Sequence, residues 1–278
     1  AAGVAGLWKL PWLDIATAAV IGLLIGFLGR FTGKRAATRE AGEALAALLA
    51  GLVATLVASF VGALNLNTVI IASLVVLLPG MALTNAVNEL ASQHWVSGTA
   101  RLAGALTTIM KLTVGAMIAV TLGNILGLEP LVRASRPQAA WVEWAALVTA
   151  AFAFAMLFKA HRRDFAWVMA ASIAGYAISK FAGHAWGAPA GVFLSAMLLT
   201  AAGNLFGRVA QRPGAIIRLP GFIMMVPGST SLRGVLTLVQ QQDVGAGQSV
   251  LLTVTNVVMA LVAGLLFGNL LIPARKTL

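Results

Sequence analysis

The chain is 278 residues long, 60% hydrophobic and only 10% charged, with mean hydropathy +0.93, so it is not an ordinary soluble domain, which is nearer half apolar and a quarter charged. Its net charge of +11 comes from 19 Lys and Arg that cluster between apolar blocks rather than on a basic face studded with aromatics, which excludes nucleic acid as a partner. There is no cysteine, and the histidines at 94, 161 and 184 lack metal-ligand spacing, which excludes disulfides, thiolate chemistry and a metal site.

Blocks of about 20 apolar residues read as helices crossing a hydrocarbon core about 30 Å thick, at about 1.5 Å per residue. Residues 1–9 read as the tail of a first helix whose front half is missing, in a chain that opens on Ala1. Nine segments follow, at 12–31, 42–64, 67–93, 98–126, 139–159, 164–183, 188–209, 213–242 and 246–272. In the first of them Gly22, Gly26 and Gly29, continued by Gly33, have the small-residue spacing of close helix packing. Seven tryptophans near segment ends suit an interfacial belt, and Asp14, Asp164 and Asp243, also near ends, read as hydrated.

Loops at 30–39, 159–163 and 208–218 carry the Lys and Arg, as do Arg275 and Lys276. The intervening loops at 62–67 and 240–247 carry none, and Arg133 with Arg136 is the exception. The positive-inside rule then makes the basic loops and the C-terminus cytoplasmic.

Segments 67–93 and 213–242 are unlike the rest. Each begins with a short apolar arm, meets Pro79-Gly80 or Pro227-Gly228, and continues as something more polar. Residues 67–78, about 18 Å as a helix, are too short to span the core. A proline removes a backbone donor, and the freed carbonyls need protein or a water-filled cavity. The alternative is a proline kink in a continuous helix.

The breaks mark an internal repeat. Val69-Ile70-Ile71 to Gly80 parallels Ile216-Ile217 to Gly228, Gly123-Asn124 parallels Gly268-Asn269, and Trp8-Lys9 with Asp14 parallels Phe158-Lys159 with Asp164. The domains expected are a truncated first repeat at 1–128 and a second at 139–278. Five spans per repeat is an odd number, so the repeats should be inverted. The fold class expected is an all-α polytopic membrane protein of two inverted five-helix repeats with Pro-Gly-broken helices, a recurring transporter architecture.

Polar residues inside such segments are candidates for a substrate and proton pathway. After the first break Asn85, Asn88, Glu89 and Ser92 share one helical stripe, and after the second Ser229, Arg233, Thr237 and Gln240 occupy the equivalent face, with the hydroxyls of Ser229 and Thr230 candidates to bind a polar substrate side chain. The competing reading is an amphipathic helix lying wet at the interface. Arg101 lies near a segment end, from which it can snorkel to the headgroups. Lys111 lies about 15 Å deeper, near the midplane, with Glu89 as the expected acid and Asn256 opposite it in the repeat. Its alternative is a structural Lys–Glu lock. No H-E-x-x-H, nucleophile elbow or Walker A motif occurs, so neither an intramembrane enzyme nor direct ATP drive is expected.

Leu78-Pro79-Gly80, Thr84-Asn85-Ala86-Val87-Asn88-Glu89-Leu90 and Ser97-Gly98-Thr99-Ala100-Arg101-Leu102 resemble the threonine/serine exporter (ThrE) family, and Pro227-Gly228-Ser229 with the Gln-rich stretch after it is similar to that family's second unit. The resemblance implies a ten-helix exporter of threonine and serine, driven by the proton motive force and preceded by a cytoplasmic N-terminal domain that this chain lacks. It implies a multi-pass protein of the bacterial inner membrane with no cofactor. The partners implied are the lipid bilayer, a small amino acid and protons, and a homo-oligomer stays open. Dicarboxylate (succinate-type) export by the same fold, or a channel, are the alternatives.

Overall fold

The computed structural model describes residues 1–32, 40–91, 93–132, 137–225, 232–236 and 244–273. The elements are α1 (Ala2–Leu7), α2 (Trp12–Thr32), α3 (Gly42–Phe60), α4 (Leu66–Ser73), α5 (Gly80–Ala91), α6 (Trp95–Ile125), α7 (Ala140–Leu157), α8 (Phe165–Trp186), α9 (Ala188–Val209), α10 (Ala215–Ile223) and α11 (Val244–Leu271). Residues 232–236 are helical as well. Seven of these helices, α2, α3, α6, α7, α8, α9 and α11, are long and apolar enough to cross a membrane. The protein is an all-α polytopic membrane protein.

The apolar arm before Pro79 is shorter than the 12 residues expected. α4 is 8 residues, about 12 Å of helix, and ends at Ser73. Turns carry the chain from Leu74 to Leu77, and a helix resumes only at Gly80, after Pro79. α10 is 9 residues long with Pro220 inside it. Pro227 and Gly228 lie outside the described residues.

The chain folds as two compact units. One comprises Ala1–Pro79, Gly104–Ala150 and Gly228–Val250, the other Gly80–Ala103, Ala151–Pro227 and Leu251–Leu278. The change of unit at Pro79-Gly80 means that α5, which follows the first break, belongs with the helices of the second half of the chain.

In the first unit, α3 presents a stripe of small buried residues, Ala47, Ala50, Gly51, Ala54 and Ala58, while Leu56 and Phe60 on its other side stay exposed. Small residues let backbones approach where no hydrophobic difference from lipid drives association. Gly115 of α6 lies on the Ala44 carbonyl of α3, Gly51 on Ala119, and Gly123 on Thr55, so the two helices run parallel. A methyl at Gly115 would strike backbone, which is why this position is glycine. The sequence-predicted packing stripe behaves differently. Gly22 meets the Ala1 side chain, whereas Gly26 and Gly29 have open space where a Cβ would stand, so among the described residues the stripe makes a close contact only at its start.

The second unit repeats the same packing with other residues. Gly264 of α11 lies on the Phe193 carbonyl of α9, and Gly268 on Thr200. Partners are 71 residues apart in Ala44–Gly115 and in Phe193–Gly264, and 68 apart in Gly51–Ala119 and Thr200–Gly268. Ala171, Val192, Ala196, Leu199, Ile217, Phe222, Val257 and Leu261 form the core here, with Met81 of α5 packed against it. The Ser195 hydroxyl donates to the Gly175 carbonyl at 2.8 Å, satisfying a polar group on the buried α8–α9 seam.

One corner recurs in both units. Lys9 and Lys159 each adopt a left-handed backbone, at φ 54° and 50°. Lys9 N–H donates to Gly6 and Leu10 N–H to Ala5; Lys159 N–H donates to Met156 and Ala160 N–H to Ala155. These are the paired bonds of a Schellman helix end, here with lysine in the place that glycine usually takes.

Candidate functional site

Lys111 and Glu43 form the polar centre of the first unit. Lys111 Nζ is 3.5 Å from Glu43 Oε2, and the Thr108 hydroxyl donates to Glu43 Oε1 at 3.2 Å. Thr108 and Lys111 are successive turns of one face of α6, and Glu43 is in the first turn of α3. The acid that Lys111 meets is therefore Glu43 and not Glu89. Glu43 carries no sequence signal of its own, since it lies at the edge of an apolar block where a hydrated acid is expected.

The pairing also corrects the depth of Lys111. α3 is 19 residues, about one hydrocarbon thickness, and Lys111 is level with its first turn. The cluster therefore lies at the end of that span, not at its middle. Depth counted along α6 misleads because α6 has 31 residues, about 46 Å, and overshoots the slab. Lys111 and Glu43 side chains are 39% and 32% exposed, as hydrated groups at such a level should be.

The repeat register changes as well. Superposing the close approaches of α3 on α6 with those of α9 on α11 brings Val192, Val257 and Ala260 onto Glu43, Thr108 and Lys111. Asn256 is thus not the counterpart of Lys111; the Gly-Asn pairs at 123 and 268 match one helical turn out of step with the packing. Asn256 is exposed on α11. The charged cluster of the first unit is replaced in the second by apolar core.

Arg233, on the helical stretch 232–236 between buried Leu232 and Leu236, donates to the Thr68 hydroxyl of α4 at 3.4 Å within the first unit. Ser229 and Thr230 lie outside the described residues.

The second unit holds another charged pair. α5 buries Leu83, Thr84 and Ala86, leaves Asn85 exposed and holds Asn88 and Glu89 half-buried. Arg101 Nε is 2.6 Å from Glu89 Oε1. Glu89 Oε2 is buried with no hydrogen-bond partner among the described residues. A buried carboxylate oxygen without a partner is expensive and asks for a proton, a cation or water. Glu89 and Asn88 line a cavity of about 290 Å³ together with His94 and Ser97. Sequence reading missed these last two because the turn that folds α6 back beside α5, with Gln93 left-handed at φ 64°, cannot be inferred from periodicity.

The aspartates at segment ends are not freely hydrated. Asp14 is 1% exposed, and its Oδ2 accepts the Asn65 N–H at 3.4 Å. Asp164 pairs with Arg212. Both are drawn in by a neighbouring loop that the sequence does not place, while Asp243 lies outside the described residues. Among the described residues no three His, Asp or Glu side chains come together as a metal site.

Two family models match in succession. One described as "Putative threonine/serine exporter" matches residues 1–123, and one described as "Threonine/Serine exporter, ThrE" matches residues 143–271. No curated protein and no solved structure matches the chain.

Proposed function

This chain belongs to the threonine/serine exporter family, and from that premise we propose that it carries threonine, serine and similar small hydrophilic amino acids out of the bacterial cytoplasm at the expense of the proton motive force. Exporter-type transport of a small molecule across the bilayer is the family's activity and is not enzymatic. The substrate and the driving ion are inferred from chemistry. A hydroxylated zwitterion needs a cation for its carboxylate and acceptors for its ammonium and hydroxyl groups. Lys111 with Glu43 and Thr108 supplies that set, and the observation carrying the reading is that this cluster stands where the other unit has apolar core.

In this reading the substrate carboxylate takes Lys111 from Glu43. Glu89, clamped by Arg101, binds and releases the coupling proton. Asn85, Asn88 and Asn256 of the second unit, and Ser229, Thr230 and Arg233 of the first, are further polar groups for the substrate and proton pathway, and the breaks at Pro79-Gly80 and Pro227-Gly228 free backbone carbonyls for the ammonium group. The repeats at 1–128 and 139–278 are inverted, the basic loops and C-terminus are cytoplasmic, the membrane is the bacterial inner membrane, and the working form is open to self-association. Counterflow in proteoliposomes preloaded with unlabelled threonine tests the reading. Uptake of labelled threonine and serine is expected, and proton drive is read separately, as net efflux accelerated by an imposed pH gradient and returned to its basal rate by a protonophore. Counterflow of labelled succinate in succinate-loaded vesicles, with none of threonine or serine in threonine-loaded ones, overturns the substrate assignment, and non-saturable flux of all three identifies a channel.

A further inference from the structure

The recurring lysine corner is covered in one unit and open in the other. At Lys9 the cover is protein: Glu143 Oε2 lies 3.0 Å from Lys9 Nζ, Gln138 N–H donates to the Lys9 carbonyl at 3.0 Å, and Trp141 packs on Trp12 with ring centroids 6.2 Å apart. The segment ahead of α7 thus brings an acid and an apolar plate to the same corner. At Lys159, whose backbone repeats that of Lys9, no acid pairs with the ammonium among the described residues.

A cavity of about 290 Å³ occupies this second corner, at the junction of α7, α8 and α10. Its polar lining is Lys159, His161 and Asp164, and the charge of Asp164 is met by Arg212. The cation left over is Lys159, with Arg162 and Arg163 next to it in sequence. The remaining wall is apolar, chiefly Phe158, Val168, Ile216 and Leu219, and Phe158 and Leu219 are each 39% exposed. A soluble anion or a free amino acid would leave that wall wet. An amphiphile with an acidic head covers both parts, as Glu143 and Trp141 do in the other unit. The corner follows directly on the 18-residue span α7, which puts it at the depth of the headgroups.

We propose that this corner is a site for an acidic phospholipid of the phosphatidylglycerol type, its phosphate on Lys159 and His161 and the start of an acyl chain along Phe158, Leu219 and Ile216. The lipid would tie the α7–α8 turn to α10, the short arm ahead of Pro227. This stands apart from the substrate reading, because none of these residues belongs to the proposed pathway.

The test is native mass spectrometry of the full chain, purified with an equimolar mixture of phosphatidylglycerol and phosphatidylcholine. The wild type is expected to retain phosphatidylglycerol over phosphatidylcholine by about fivefold per engaged cation. Lys159→Gln with His161→Gln should bring that preference close to unity, and Ala160→Trp, which fills the cavity, should lose bound lipid of both kinds. Lys9→Gln, the same change at the covered corner, should leave the preference intact. An unchanged preference in the double variant, or an equal fall in Lys9→Gln, overturns the site. Displacement of the lipid by millimolar inorganic phosphate or threonine also overturns it, in favour of a soluble anion or the transported amino acid.

Discussion

Lys111→Met separates transport from stability. At 3.5 Å two unit charges attract by about 1 kcal/mol in water and about 5 kcal/mol at an effective dielectric near 20. Both side chains are about a third exposed, so the net worth of the pair falls in the range of about 0–1 kcal/mol measured for solvated ion pairs. Losing a charged hydrogen bond to a substrate carboxylate costs about 1.5–3 kcal/mol, or about 10- to 150-fold in rate. The variant should therefore unfold within a few degrees of the wild type and yet lose threonine counterflow by at least about tenfold. Glu43→Gln combined with Lys111→Met tells a ligand from a lock. A structural lock is relieved when both charges go, so transport would recover. A substrate ligand is simply absent, so the double variant stays as inactive as Lys111→Met. Recovery in the double variant, or counterflow within twofold of wild type in the single one, refutes the role of Lys111 in binding.

Glu89→Gln should keep threonine exchange while abolishing acceleration by an imposed pH gradient, read as efflux with and without the gradient; retained acceleration places the coupling proton elsewhere. Gly115→Ala should destabilise by about 1–3 kcal/mol, since the new methyl meets the Ala44 carbonyl, whereas Gly104→Ala, with open space at its Cβ, should be neutral or slightly stabilising. Chemical denaturation of the detergent-solubilised protein compares the two. The natural absence of cysteine allows single-site labelling without prior substitutions. A cysteine at Gly62 should react with an impermeant maleimide outside intact cells and one at Ala160 should not, and the opposite pattern reverses the orientation.

Much of this protein is legible along the chain because the bilayer imposes one rule on every span: about 20 apolar residues whose backbone is satisfied internally. Hence α2, α3, α8 and α9 fall within a few residues of the segments read from composition. The Pro-Gly landmark and the Lys9/Lys159 parallel were also visible, since both are backbone properties encoded locally. What the sequence could not supply is which polar side chains meet. Glu43 and Lys111 are 68 residues apart, and only the parallel packing of α3 on α6, decided by which face carries glycine and alanine, sets them at one level. The same packing moved Lys111 from mid-membrane to the end of a span and exchanged Asn256 for Ala260 as its counterpart. Asp14 likewise looked like a hydrated end residue until the loop at Asn65 folded over it. Hydropathy reports the solvent that each segment needs; depth, register and ion pairing belong to the helix–helix interfaces, where the choice is made by steric fit between distant segments.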